Sequence, residues 1–574
     1  MAARLTTYLV VGIVAATLIA GLIVGAQRDD NEGPVDLIVN NAKVYTAAGE
    51  RTAEAVAIRG NQILRVGSNR EINRLRRPQT EVIDAKGAAV LPGFNDAHVH
   101  VIDGGLALGQ IDLSGADTID EVSARIRAWA DANPDQPWIV GRGLNAALAT
   151  APQSARQWLD ELAGGRPAYL GSADGTVAWV NSQALRSAGI TRRGPKNGAI
   201  VRAPRTDEPT GALGEGALAL LATALPPQTR DRRARALRAA IAEAHQNGIT
   251  SVHDVGAGLG DFELYNELRR AGDLQLRVYA ALAVDGAPSD AELSRLDAVW
   301  SKYPDDPFFK TGALAIRIDG PVVSRHAALL EPYADTTVSA EPLVASDDLN
   351  RMVRLIDARG WQVMSDASGD RAVHMAIDAY EHAVRSNPAP SRGRRHRVEG
   401  VELAGASDLA RLRPVGVIAS MQPALASPEG PRLDVWTKYL GEERALSAWP
   451  FHRIAAGRGR LAFGSDWPSG ALSPLEGIHT AVTRTTPAGV PEGGWNPAER
   501  LTLESAIDAY TSGAAYASFD EQRKGSLEAG MLADLVVLSQ DIFTAPRSRL
   551  ASTEVAVTIF DGKVVYRRNA KSSD

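Results

Sequence analysis

A chain of 574 residues is too long for one simple domain and leaves room for a large α/β barrel with satellites. Apolar residues at 45% and charged residues at 23% exclude extended disorder. A net charge of −6 excludes general attraction to nucleic acid, so the short arginine clusters at 230–238 and 392–397 read as solvated faces, and the absence of cysteine removes disulfides, thiolate metal sites and a cysteine nucleophile.

Residues 5–27 carry no charge and are about long enough to span a bilayer as one N-terminal transmembrane helix. A signal peptide is the competing reading, because Arg4 supplies a minimal basic region and Val24-Gly-Ala26 a small-residue cleavage site. Arg4 precedes the segment while Asp29 and Asp30 follow it. That asymmetry places the body outside the cytoplasm, membrane-anchored in the periplasm of a Gram-negative cell, or secreted if the segment is cleaved. A polar linker covers 28–35. Short alternating runs from 36 to 90, and again from 520 to 567 with the turn dipeptide Asp561-Gly562, predict β-strands at both ends of the body.

In the middle, 91–519, apolar runs alternate with helical patterns. Residues 138–140, 168–170, 250–253, 276–282, 314–318, 362–364, 397–401, 415–420 and 461–465 read as strands of a parallel α/β sheet. These are more runs than a barrel needs, so about two belong to insertions. Residues 234–246, with Leu237, Ile241 and Ala244 at helical spacing, predict an outer helix ended by Asn247-Gly248.

Leu91-Pro-Gly-Phe-Asn-Asp-Ala-His-Val-His100 heads this middle region and reads as one strand. Alternation puts His98 and His100 on one face, where two imidazoles grip one metal ion. A bare His-x-His is more often a structural pair, but this stretch resembles the first-strand signature of the amidohydrolase superfamily, metal-dependent hydrolases on a (β/α)8 barrel. Ser172-Ala-Asp-Gly175, Thr250-Ser-Val-His-Asp254, Val417-Ile-Ala-Ser-Met-Gln-Pro423 and Leu461-Ala-Phe-Gly-Ser-Asp-Trp-Pro468 narrow the resemblance to amidohydrolase family 3, which includes N-substituted formamide deformylases. It implies an α/β fold: a TIM-type (β/α)8 barrel with a small β-sandwich built from N- and C-terminal strands.

The resemblance further implies one or two divalent ions held by the first-strand His pair, a carboxylated Lys, two more His, and an Asp that also takes the proton of the attacking water. His98, His100 and Asp466 match, Asp466 as both ligand and catalytic base. Three positions are altered. Ala315, in Leu314-Ala-Ile-Arg-Ile-Asp-Gly320, stands where the family reads Val-Lys-Ile-Phe-x-Asp-Gly. Asp366 in Ser365-Asp-Ala-Ser-Gly-Asp370 replaces one ligand His, and Gly400 in Arg395-His-Arg-Val-Glu-Gly400 replaces the other. None of the nine lysines falls in a predicted barrel strand, Lys310 lying just upstream of one. Thr176 follows Asp174-Gly where a His is common near the substrate, which makes Asp174, Thr176 and Asp319 candidate substrate-binding residues.

His98 and His100 with Asp366 or Asp466 satisfy a mononuclear zinc-like site on paper. One divalent ion is therefore expected at most, with a substoichiometric or metal-free protein as the alternative, in which Asp319, Asp366, Asp466 and Glu399 remain as convergent acids and bases. Of the remaining histidines His253, at a strand end, is the best placed to serve as a further ligand, a satisfied structural role being the commoner use of such a residue. Two functions follow: hydrolysis of a C–N bond in a small amide or formamide on a reduced site, or a non-catalytic family member kept at the membrane to bind or scaffold an unknown protein partner.

Overall fold

The computed structural model describes residues 34–569, with short breaks at 50–51, 146–147, 149–154, 173–176, 194–198, 338 and 430–431. The expected membrane segment lies outside the described residues. Among the described residues no helix is long and apolar enough to cross a membrane.

Eight parallel strands form one sheet: β1 Phe94–Val99, β2 Ile249–Ala257, β3 Arg277–Ala283, β4 Phe309–Arg317, β5 Gln362–Ala367, β6 Arg397–Gly400, β7 Ile418–Met421 and β8 Arg460–Phe463, paired in that order. A parallel bridge between Val99 and Trp467, with His98 C=O accepting from Asp466 N–H at 2.8 Å, brings the last strand back to the first. The sheet thus closes as a TIM-type barrel. Outward side chains such as Leu314, Ile316 and Ile318 pack under the surrounding helices. Inward ones form a separate apolar layer of Val255, Tyr279, Ala281, Ala313 and Met364, with Ala315 against it. Below that layer the interior is polar. Lys310 Nζ bonds Asp520 at 2.7 Å, and Lys524 Nζ donates to Ser251 Oγ. Lys310 is thus part of β4, a correction to its expected place just upstream, but it sits at the end of the barrel away from the histidines.

Both ends of the body share one sheet beside the barrel. Ala89–Pro92 pairs parallel with Lys43–Tyr45 and antiparallel with Leu535–Leu538, and a second sheet of Leu37–Asn40, Ala55–Arg59, Gln62–Gly67 and Glu81–Asp84 faces it. Val39, Val56, Ile83, Val90, Leu535 and Ile559 fill the space between them. The stretch expected as one strand from Leu91 to His100 is two. Leu91 and Pro92 end a sandwich strand and β1 begins at Phe94. The break falls at Gly93, where a Cβ would sit 2.3 Å from Thr250 Oγ1, so only glycine lets the chain pass that close to β2.

The surplus predicted strands, 138–140 and 168–170, belong to an insertion between β1 and β2. There Ile139–Leu144 and Ala168–Ser172 lie in a six-stranded sheet of their own. The outer helix before β2 runs Arg230–Gln246, four residues longer at its start than its apolar pattern suggests, because Thr229 caps it by accepting from Arg232 N–H.

Candidate metal centre

His98 lies in β1, His100 follows it, and Asp466 follows β8, so the strand pairing that closes the barrel also collects the three side chains. His98 Nε2 is 3.6 Å and His100 Nε2 3.2 Å from Asp466 Oδ1. Their ligand atoms all lie within 4.8 Å of one another, the one such group of three among the described residues. Two imidazoles and a carboxylate leaving an open side suit a catalytic divalent ion.

The orientation of His98 is set from behind. Its Nδ1 meets Glu399 Oε2 at 2.9 Å, which turns Nε2 toward the mouth, the usual carboxylate support of a ligating imidazole. Glu399 is itself gripped by Arg397, whose Nε lies 2.7 Å from Oε1 and whose Nη2 lies 3.0 Å from Oε2. Arg397 also reaches Ala97 C=O, Ser420 Oγ and His253 Nδ1. Both Arg397 and Glu399 are completely buried, so Arg397 corrects the expectation of a solvated arginine cluster at 392–397. Its neighbours Arg394 and Arg395 are likewise engaged, by Asp357 and Glu521.

The electrostatics favour a cation at this point. Burial alone would lower His98, but its bond to Glu399 and the charges of Glu399, Asp466 and Asp366 push it up to about 9. His100 is also raised, burial being outweighed chiefly by Asp466. Asp466 is held below its ordinary value in spite of burial, by the His100 bond and both imidazole charges. A site that stabilises a proton on two imidazoles stabilises a divalent ion in their place.

The other sequence candidates divide. Asp366, on β5, shares the field, raised to about 6 by burial and by Asp466 and Glu399, but it falls outside the ligand group. Asp319, expected near the substrate, is a scaffold residue. It is buried and accepts from the backbone N–H groups of Ala328, Ser368 and Gly369 at 2.8–2.9 Å, locking together the loops after β4 and β5. Ala315 points into the apolar layer. Gly400 has φ +91°, a backbone that L side chains rarely adopt. Asp174 and Thr176 lie outside the described residues. His253 is buried with Nδ1 toward Arg397 and is not in the ligand group. Sequence reasoning missed Arg397, although the i, i+2 pairing of Arg397 and Glu399 on one strand face was a usable signal.

Comparison with known proteins agrees with this architecture. The chain is 30% identical to the protein LONG AFTER FAR-RED 3 of Arabidopsis thaliana over 92% of its own length and 91% of that protein's. It is 29% identical to an N-substituted formamide deformylase of Arthrobacter pascens, over 93% and 98%. The crystal structure of an uncharacterized metal-dependent hydrolase from Pyrococcus horikoshii OT3 shares the fold, with a TM-score of 0.71 at 21% identity, covering 89% of this chain and 99% of that one. The amidohydrolase family model matches residues 81–566, most of the chain, and the chain belongs to that family.

Proposed function

We propose that this chain hydrolyses a C–N bond in a small amide or formamide, using a single divalent ion held by His98, His100 and Asp466. The convergence of those three donors around Asp466 Oδ1 carries the reading, and the formamide deformylase relative supports the bond type. Of the three altered ligand positions, Ala315 and Gly400 offer no side-chain ligand atom and Asp366 offers a carboxylate in place of an imidazole. An ion in the triplet supplies Lewis acidity, activating water and polarising a carbonyl. Asp466, whose Oδ1 faces both imidazoles, is the group placed to accept the proton of the attacking water. That proton passes to the departing nitrogen as the C–N bond breaks, giving a carboxylic acid, or formate, and an amine. Arg397 holds Glu399, and Glu399 holds His98 with Nδ1–H inward.

The test is elemental analysis of the purified protein together with an assay on N-substituted formamides. About one ion per chain and turnover, both lost in His98→Ala and turnover lost in Asp466→Asn, is the expected result. The rival reading, a non-catalytic family member serving as a binding or scaffolding protein, is favoured by the joint alteration of Ala315, Asp366 and Gly400 on an intact scaffold. Its signature is well under one ion per chain and no turnover. We also propose that residues 5–27 tether the body outside the cytoplasm. A reporter fused after Asp574 that is active only in the cytoplasm would sink that idea.

A further inference from the structure

Beyond the register shift at Gly312, strand β4 alternates from Ala313 to its end. Ala313 and Ala315 face the barrel interior with Tyr279, Ala281 and Met364, while Leu314 and Ile316 face the helices. Arg317 therefore continues the inward face, one level above Ala315 and at the rim. Its position pairs with Asp366 of β5. The side chain is 64% exposed, unlike the buried Arg397, whose nitrogens are taken up by Glu399, Ala97, Ser420 and His253. Arg317 Nε donates to Asp319 C=O at 3.2 Å, which anchors the guanidinium through a residue that is itself locked by three backbone N–H groups. Asp366 Oδ2 is 3.9 Å from that Nε, beyond hydrogen-bond reach. Among the described residues neither Nη atom has an acceptor.

The sheet order places β4 and β5 across the barrel from the β8–β1 seam, so this anchored fork faces the His98, His100 and Asp466 triplet over the mouth. An eight-stranded barrel has an interior only about wide enough for side chains or one small ligand. One small molecule thus reaches both groups. A planar fork with free terminal N–H groups is the matching partner of a carboxylate.

We propose that Arg317 is a substrate-recognition residue selecting amides or formamides whose far end carries a carboxylate, which Arg317 binds while the scissile carbonyl lies at the triplet. The identity of the scissile bond rests on the hydrolase reading above; the recognition of the carboxylate does not. The test uses the full chain and two probes, N-formylglycine and its methyl ester, with Arg317→Met and Arg317→Lys. Calorimetric titration is done in an Asp466→Asn background so that turnover does not intervene, and kcat/KM is measured with Asp466 present. Expected is about 10–100-fold weaker binding of N-formylglycine in Arg317→Met, an intermediate loss in Arg317→Lys, and a matching fall in the kcat/KM preference for the acid over the ester, carried by KM. Unchanged circular dichroism and urea midpoint establish that each variant is folded. Arginine-dependent binding without turnover in the native protein sinks the hydrolase reading and upholds this one. Turnover of both probes with the same preference in native and Arg317→Met proteins overturns this one and upholds the hydrolase. Binding of neither probe overturns it as well.

Discussion

Glu399 does two jobs with one carboxylate: it turns His98 toward the mouth and it balances the buried charge of Arg397. Glu399→Gln keeps the shape but loses the charge, and a supporting group of this kind is worth about 10–100-fold in metal affinity. Competition with a chelator, read by the dissociation constant of bound zinc, checks it; unchanged affinity would mean that Glu399 serves Arg397 alone. His253 sits on the other side of Arg397. Burial first, then the charges of Arg397, Lys524 and Lys310, hold it well below its ordinary value. It is neutral in the folded protein at a pH where the unfolded chain's histidine takes up a proton. Its contribution to stability is therefore complete above about pH 6.5 and declines as pH falls toward its folded value, by at most about 1.4 kcal/mol per pH unit. Relative to His253→Gln, the native protein should lose urea stability on going from pH 7 to pH 5.5. A constant difference would contradict the neutral assignment.

At the scale of strands, the pattern of apolar runs carried most of the information. The seven barrel strands after β1 coincide with predicted runs because alternate residues there face the helix layer, and burial on that side enforces β-branched and aliphatic residues such as Val363 and Val398. The convergence of His98, His100 and Asp466 was legible for a related reason, since strand position fixes where the two histidines and the carboxylate come together. Arg397 was not legible because a short run of arginines looks the same in sequence whether its members face solvent or, as here, are engaged by partners distant in the chain. Asp319 was misread because a carboxylate at a strand end looks the same whether it faces ligand or backbone N–H groups. The insertion's strands looked like barrel strands because period-2 alternation does not report which sheet a strand joins. Gly400 illustrates what an altered ligand position hides. Its φ of +91°, with Ala367 O only 3.3 Å from a built Cβ, means that Gly400→Ala should destabilise by about 1 kcal/mol or more, read as a lower urea midpoint. Restoring a histidine there strains the backbone before any ligand is gained, so Ala315→Lys with Asp366→His is the cleaner attempt at a second ion.

For the molecule as a whole, the barrel and the sandwich are fastened through Arg277. From β3 it bonds Asp534 through Nε at 2.5 Å and Nη2 at 2.9 Å and reaches Asp561 at 3.0 Å, all beneath Phe308 and Phe560. Removing Asp534 takes the bidentate partner from the buried Arg277 and leaves it Asp561 alone. Asp534→Ala should therefore cost about 3–5 kcal/mol, seen as a lower thermal midpoint with the barrel and sandwich signals still melting together; separate transitions would show that the two parts are independent. The seam of the barrel has a consequence in time. The triplet exists only where β8 lies against β1, and the contact joining Asp96 to Ser465 spans 369 positions of chain. A growing polypeptide has both histidines in hand long before Asp466 leaves the ribosome. The nascent chain therefore carries an incomplete triplet through most of its synthesis, and the three side chains meet only when the last barrel strand docks on the first.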